Sequence, residues 1–201
     1  MKIIGLCGSS GAGKGYLCSL FARYGVGCID TDRVYREICL ASPACIKELT
    51  DYFGTDILTD GAVDKKKLAA VVFEGDNSEA DLKALNRITH KYIKIETDRL
   101  VSEHEAKGYS SVLIDAPVLF ESGFDAMCHA TVCIVAPLEE KLNRIVKRDN
   151  ISYEKALARL GSQLSDEELI SRCTYAIDNS AGADLDSQII SVLKGLEIGT
   201  N

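Results

Sequence analysis

Residues 8–15 read Gly8-Ser-Ser-Gly-Ala-Gly-Lys14-Gly15 and follow directly on an apolar run, Lys2 to Cys7. The next segment, Tyr16 to Tyr24, has the apolar spacing of a helix. A strand, a loop of the form Gly-x-x-x-x-Gly-Lys and a helix, in this order, are typical of a phosphate-binding loop. The alternative is a glycine-rich turn that contains a lysine by chance. In that case the preceding strand, the spaced glycines and the following helix would all have to be coincidences.

The chemistry of this loop follows from its residue types. Glycines let successive backbone N–H groups turn toward a phosphate, and the helix N-terminus adds partial positive charge. Lys14 is placed to reach the β and γ oxygens of a nucleoside triphosphate. We therefore predict ATP-type phosphate binding by Gly8, Ser9, Ser10, Gly11, Ala12, Gly13, Lys14, Gly15 and Tyr16.

The rest of the chain alternates short apolar runs, rich in branched residues, with longer segments of helical period. Runs that are apolar on both faces are typical of strands in a parallel sheet covered by helices. We predict an α/β fold with a long helix from about Ser78 to Lys107 and a helix after Pro137. The predicted strands are Lys2 to Cys7, Gly27 to Asp30, Ser111 to Asp115, Thr131 to Ala136 and Tyr175 to Asp178.

Composition excludes several classes of protein. A net charge of −7 argues against an extended nucleic-acid interface, so an anion site must be local. No apolar run approaches the roughly 20 residues that span a bilayer, and we expect no membrane partner. Met1-Lys2 leads straight into the first strand without a secretory signal. We expect a cytoplasmic protein, a monomer or small homo-oligomer, whose eight cysteines are free thiols.

The last residue of the loop departs from the motif. A Ser or Thr usually follows the lysine and holds Mg²⁺ through its hydroxyl, whereas this chain has Gly15. Glycine has no side chain that could bind a metal. Two outcomes remain open: Mg²⁺ is held by water and carboxylates, with Asp32 or Asp115 as candidates, or turnover is impaired.

Aspartates follow two of the predicted strands. Extended backbone would point Asp30 and Asp32 the same way, toward the phosphate loop at the carboxyl edge of the sheet. We predict Asp32 as the base that accepts a proton from a substrate hydroxyl, while an Asx turn or helix cap is the alternative for one of the pair. For Asp115, a metal or substrate contact and a purely structural turn remain equal alternatives.

Basic residues form a stripe on the helix after Pro137. Arg144 and Arg148 lie four residues apart with Lys141 on the same face, and Arg159 lies on the next predicted helix. Like charges at this spacing repel, and an anionic ligand would reverse that cost. A solvated face is the usual explanation of such a stripe, but beside a phosphate loop we favour a lid that closes over the transferring phosphoryl group.

Eight segments in a fixed order extend these observations. They are Ile4 to Lys14, Ile29-Asp-Thr-Asp32, Asp51-Tyr-Phe-Gly54, Leu85-Asn-Arg-Ile-Thr-His90, Asp115-Ala-Pro-Val-Leu-Phe-Glu121, Leu142 to Asp149, Arg159-Leu-Gly-Ser-Gln163 and Ile177-Asp-Asn179. In these segments the sequence resembles the dephospho-coenzyme A kinase family over nearly the whole chain. The resemblance departs from the family pattern at Gly15-Tyr16, which replaces Ser-Thr, and at Lys91, which replaces a proline after His90.

The resemblance implies a P-loop kinase fold in one domain, residues 1–201, with a parallel five-stranded sheet. It implies a core of residues 1–56, 109–137 and 167–201, a helical coenzyme-A-binding subdomain, 57–108, and a lid, 138–166. The implied reaction is ATP-dependent, Mg²⁺-assisted phosphorylation of the ribose 3′-hydroxyl of dephospho-coenzyme A, the last step of coenzyme A synthesis.

The resemblance also implies roles for individual residues. Lys14, Asp32 and Arg144 are expected to be catalytic, Asn179 to lie near adenine, and Asp32, His90 and Asp115 to bind substrate. Arg144, Arg148 and Arg159 belong to the implied lid. Another small-molecule or nucleotide kinase with a phosphate loop, and a catalytically impaired nucleotide-binding homologue, remain the alternatives.

Overall fold

The computed structural model describes residues 1–74 and 78–199, with the backbone alone at Cys39 and Leu40. Its strands are β1 Lys2–Cys7, β2 Gly27–Asp30, β3 Leu58–Thr59, β4 Ala62–Val63, β5 Ser111–Asp115, β6 Ala130–Val135 and β7 Tyr175–Asp178. Its α-helices are α1 Lys14–Arg23, α2 Thr31–Ala41, α3 Pro43–Phe53, α4 Lys65–Glu74, α5 Ser78–Ala106, α6 Leu138–Asp149, α7 Tyr153–Gly161, α8 Asp166–Arg172 and α9 Leu185–Gly195. Short 3₁₀ turns lie at Thr55–Ile57 and Phe124–Met127.

The main sheet has five strands in the order β2-β5-β1-β6-β7. Strand β1 lies in the centre and pairs in parallel with β5 on one side and β6 on the other, while β6 also pairs in parallel with β7. The connection from β1 leads to β2, on the β5 side of the sheet, whereas the connection from β5 leads to β6, on the other side of β1. In open α/β sheets, ligands bind outside the carboxyl ends of the strands at such a switch point, and the loop of residues 8–13 lies there.

By its internal contacts the chain divides into two compact units. The first contains Met1–Ile29 and the chain from Val101 onward. Its core combines apolar side chains of β1 and β6 with the inner faces of α1 and α9, and includes the fully buried Leu6, Leu17, Phe21 and Ile134. A smaller cluster, Leu142, Ile145 and Ala156, packs α6 against α7. These helices stand beside the phosphate loop.

The second unit, Asp30–Leu100, contains helices α2, α3 and α4, most of α5 and the β3–β4 hairpin. Within it, the exposed Lys91 of α5 donates to Glu48 of α3 at 2.7 Å, and Tyr92 donates to the same carboxylate at 2.9 Å. The Lys91 hydrogen bond lowers the pKa of Glu48. Lys91, where the resemblance implies a proline, thus helps to join two helices of this unit.

The predicted α/β class and parallel five-stranded sheet are confirmed. Four of the five predicted strands have the predicted bounds, and the fourth is shifted by one residue, to Ala130–Val135. Helix α1 begins at Lys14 rather than Tyr16, and α5 ends at Ala106. In the described residues, no helix is both long enough and apolar enough to cross a membrane. The predicted division into core, 57–108 subdomain and 138–166 lid stays a prediction.

Candidate active site

The phosphate loop contains glycines at which any side chain would displace neighbouring atoms. A Cβ on Gly8 would lie 2.7 Å from the Ile134 carbonyl oxygen, and one on Gly11 would lie 2.5 Å from that of Lys141. Gly11 and Gly13 also have φ values of +78° and +107°, in the left-handed region that favours glycine. The backbone is therefore packed closely against β6 and α6, as expected of a loop whose amides bind a ligand.

Lys14 is the first residue of α1, and its ammonium group turns back over the loop. Its Nζ donates a 2.7 Å hydrogen bond to the carbonyl oxygen of Gly8. The same half-buried side chain lies at the N-terminus of a helix, where the backbone dipole favours an anion. Lys14 is thus held over the loop, where a triphosphate would meet both its positive charge and the positive end of the α1 dipole.

A buried charge pair supports the loop from below. Lys141 of α6 is only 7% exposed, and its Nζ donates to Asp166 at 2.8 Å and to the Ser9 hydroxyl at 3.2 Å. The Ser9 hydroxyl donates in turn to the other Asp166 oxygen at 3.1 Å. These three side chains satisfy one another, and they fix Ser9 between α6 and the N-terminus of α8.

Arg144 lies directly on the phosphate loop. Its guanidinium donates to the carbonyl oxygens of Gly11 at 3.2 Å and Asn179 at 3.0 Å, and it pairs with Glu140 at 2.7 Å. The Asn179 amide donates to the Ala12 carbonyl at 2.7 Å. Arg144, Asn179 and the loop therefore form one cluster, in which two residues distant in sequence hold the backbone that is to bind phosphate.

The other two predicted lid arginines meet at one carboxylate. Arg148 pairs with Asp149 through two contacts of 2.7 and 2.8 Å and reaches the Ser10 hydroxyl at 3.4 Å, and Arg159 also pairs with Asp149. The hydrogen bonds from Arg148 and then Arg159 hold the pKa of Asp149 well below its usual range. Acidic neighbours therefore offset the repulsion that the spacing of these like charges predicts.

Gln163 makes a contact that sequence reasoning missed. Its side-chain oxygen accepts a 2.8 Å hydrogen bond from the backbone N–H of Ser10, one of the loop amides. Asp166 was missed in the same way. A sequence signal existed for Gln163, since it ends the Arg159-Leu-Gly-Ser-Gln163 segment. For Asp166 the sequence showed only a position in the first turn of a capped helix, which is common for an aspartate and indicates no site.

Asp115 ends β5 and lies in register with Leu6 of β1, two residues before the loop begins. One of its oxygens lies 3.9 Å from the Cys18 sulfur. A cavity of about 390 Å³ opens beside the loop, between residues 117–121, 161–164 and the start of α8. The segment that follows Asp115 thus lines a space next to the phosphate loop.

Asp32 and His90 belong to the second unit. The argument that Asp30 and Asp32 point the same way from extended backbone is wrong, because α2 begins at Thr31. Asp30 is instead the helix cap, accepting the Arg33 N–H at 3.0 Å, and Asp32 is exposed in the first turn of the helix. His90 is half-buried on α5, and this burial lowers its pKa, which favours the neutral imidazole.

A phosphate loop at the carboxyl edge of a parallel five-stranded sheet, with Lys14 of α1 and the basic residues of α6 in contact with it, defines a P-loop kinase. The sequence profile of the family described as dephospho-CoA kinase matches residues 2–184. The chain belongs to the dephospho-CoA kinase family. Its activity is therefore that of a dephospho-CoA kinase, which carries out the final step of coenzyme A biosynthesis.

Individual relatives agree with this assignment. The dephospho-CoA kinase of Lactobacillus johnsonii is 33% identical over 98% of both chains. That of Deinococcus radiodurans is 35% identical, covering 97% of this chain and 92% of its own. A crystal structure of a Thermus thermophilus protein matches with a TM-score of 0.80 at 28% identity, over 98% of both chains. The match spans both units, so neither unit is a separate addition to the family fold.

Proposed function

We propose that phosphoryl transfer proceeds by in-line attack of the ribose 3′-hydroxyl of dephospho-coenzyme A on the γ-phosphate of ATP, with Asp32 as the base. The cluster of Lys14, Arg144 and Asn179 around the loop is the observation that carries the ATP half of this proposal. Two cationic groups and one amide on the same loop would stabilise a polyanion that the backbone N–H groups bind. We assign adenine to the side of the loop on which Asn179 lies.

Lys14 and the arginines divide the electrostatic work. Lys14 neutralises charge on the β and γ oxygens, while Arg144, Arg148 and Arg159, on α6 and α7, close over the transferring group as part of the lid, residues 138–166. Their acidic partners hold the guanidinium groups in place, so that each arginine needs only to exchange one carboxylate contact for a phosphate oxygen. The fixed positions reduce the reorganisation that accompanies catalysis.

Mg²⁺ is the expected metal of this reaction, and when bound it would neutralise charge on the β- and γ-phosphates. Mg²⁺ in such sites keeps several waters and takes one or two carboxylates besides the phosphates. Asp115, at the carboxyl edge next to β1, and Asp32, in the first turn of α2, are the candidate carboxylates, whereas Gly15 contributes no oxygen. We assign the metal to these carboxylates through water.

Acceptor recognition is assigned to the second unit and to the segment after β5. The subdomain of residues 57–108 binds the coenzyme A moiety, with His90 contributing as a neutral hydrogen-bonding group since burial lowers its pKa. Asp115 contacts the acceptor or its metal at the sheet edge. We further propose a cytoplasmic location, which suits seven cysteines that are free thiols in the described part of the chain.

The role of Asp32 is tested with a pair of matched variants. Asp32→Asn removes the base and should lower kcat by about 10²- to 10⁴-fold, the range typical of a general base, with little change in KM for ATP. Asp30→Asn is the control, because asparagine caps a helix as well as aspartate does. Steady-state kinetics on both variants measure the difference. Retention of more than a tenth of kcat by Asp32→Asn would exclude this role.

A further inference from the structure

Two cysteine thiols touch beside the phosphate loop. Cys7 is the last residue of β1 and directly precedes Gly8, and Cys173 follows the last residue of α8. Their sulfur atoms are 3.5 Å apart. We propose that Cys7 and Cys173 are a site of oxidation by hydroperoxides, which join them in a disulfide that slows the kinase. Disulfide formation is independent of the proposed function, whereas the effect on turnover rests on it.

The two thiols differ in the way that peroxide chemistry requires. Cys7 is 1% exposed, and Cys133, its neighbour in register on β6, is fully buried, whereas Cys173 is partly exposed. Hydrogen bonds from Cys133 and then Cys7 lower the pKa of Cys173, and the bond to Cys173 together with burial raises that of Cys7. Both shifts favour the thiolate form on Cys173, the partly exposed sulfur, and the thiolate is the form that attacks a peroxide.

The reaction balances with a hydroperoxide as the only oxidant. The Cys173 thiolate attacks one peroxide oxygen, the O–O bond breaks, and the leaving oxygen departs as hydroxide or alkoxide and takes up a proton. The sulfenic acid formed on Cys173 is then attacked by the Cys7 sulfur, which loses its proton. The new S–S bond forms as the S–O bond breaks and water leaves. Two thiols and one hydrogen peroxide thus give one disulfide and two waters.

The new bond would act on the loop because neither sulfur can move freely. A disulfide of about 2.05 Å brings the sulfurs closer than their 3.5 Å contact, and so pulls Cys7 or the end of α8. At its other end, α8 is held to Ser9 through Asp166. Gly8, which follows Cys7 in the chain, packs against β6, and its carbonyl oxygen accepts the Lys14 hydrogen bond. Oxidation would therefore displace the start of the loop or the support beneath it.

The bond is detected directly by peptide mapping. Cleavage by trypsin after Lys14, Lys141 and Arg172 places Cys7, Cys133 and Cys173 in three different peptides. The purified enzyme is treated with hydrogen peroxide, blocked with iodoacetamide, digested without reductant and examined by mass spectrometry. We expect a linked Cys7–Cys173 pair of peptides and a fall in kinase rate of about tenfold or more. Dithiothreitol should separate the linked peptides and restore the rate.

Two variants separate this site from general oxidation. Cys173→Ser should have the unoxidised kinase rate of the wild type, form no Cys7 cross-link and keep most of its rate in peroxide. Cys128→Ser is the matched control, because its sulfur donates to the Phe124 carbonyl away from the pair and a serine can do the same. It should remain as sensitive as the wild type.

Several results would overturn the proposal. They are a Cys7–Cys133 link in place of Cys7–Cys173, no link at peroxide levels that oxidise other thiols, an unchanged rate in the linked protein, and equal loss of rate in Cys173→Ser. A protein that forms the link yet shows no kinase activity before oxidation would contradict the proposed function instead. The peptide map thus distinguishes the two failures.

Discussion

Position 15 is the residue at which the loop differs most from its family. Gly15 is the second residue of α1, and a Cβ placed on it would meet no atom within 4 Å outside its own helix turn. The space for a serine side chain is therefore present, although the hydroxyl is absent. The reaction must either proceed with Mg²⁺ held by carboxylates and water or proceed slowly.

Gly15→Ser tests this directly. The added hydroxyl should lower the Mg²⁺ concentration for half-maximal rate by about tenfold, which corresponds to ~1.4 kcal/mol, or raise kcat. Serine also has a higher helix propensity than glycine, so no loss of stability is expected. A Mg²⁺ titration of the initial rate measures the effect, with Gly15→Ala as the control for propensity alone. Identical titrations for all three proteins would show that the position has no part in metal binding.

At the residue scale, the sequence predicted some contacts of the site and missed others for a physical reason. Lys14 was predictable because the motif fixes its position relative to the loop, and Arg144 because a charged stripe stands out on a helix. The contacts of Asp166 and Gln163 were not, because neither residue belongs to the loop motif or to a charged stripe that would single it out. Such contacts depend on how elements pack, which local patterns do not encode.

At the scale of elements, α6 and α8 act as supports for the loop. Lys141 of α6, Asp166 of α8 and Ser9 satisfy one another in a largely buried site. Removing one partner of a buried ion pair leaves the other uncompensated, which typically costs about 3–5 kcal/mol. Asp166 retains some access to water, with 20% of its side chain exposed, so the lower end of that range applies.

Lys141→Met should accordingly lower the free energy of unfolding by about 3 kcal/mol. Lys147→Met is the matched control, since Lys147 is exposed on the same helix, and it should change stability by less than about 0.5 kcal/mol. Urea denaturation followed by circular dichroism provides both values. Equal stabilities of the two variants would mean that the pair does not hold the loop.

Arg144→Lys tests how α6 organises the loop. Lysine keeps the charge but cannot bond Gly11, Asn179 and Glu140 at once, because it lacks the planar fork of arginine. Hydrogen bonds from charged groups contribute about 1.5–3 kcal/mol each, so kcat/KM for ATP should fall by about ten- to a hundredfold. Steady-state kinetics with Lys147→Met as control measure it. A value within about twofold of the wild type would remove Arg144 from the site.

The element pattern was largely predictable, and the exceptions are instructive. The strands of the main sheet were found because both of their faces are buried, which gives continuous apolar runs. The backbone at Asp30 to Asp32 was not, because the change from strand to helix occurs within two residues. Asp30 could serve a strand end or a helix cap, and only the capping hydrogen bond to Arg33 decides between them.

On the scale of the whole molecule, an acidic protein carries a basic site. The net charge is −7, yet Lys14, Lys141, Arg144 and Arg148 all contact the phosphate loop or its supports. The sequence composition predicts that any anion site is local, and these four basic residues lie together at the loop. The family match, over residues 2–184, includes this loop and most of the chain.

The most direct test is turnover itself. The purified chain, incubated with ATP, Mg²⁺ and dephospho-coenzyme A, should produce ADP and coenzyme A in equal amounts, as chromatography with mass spectrometry can measure. Parallel reactions with nucleosides, nucleotides and shikimate as acceptors should give far lower rates. No coenzyme A at high enzyme concentration with either Mg²⁺ or Mn²⁺, despite ATP binding measured by calorimetry, would contradict the account.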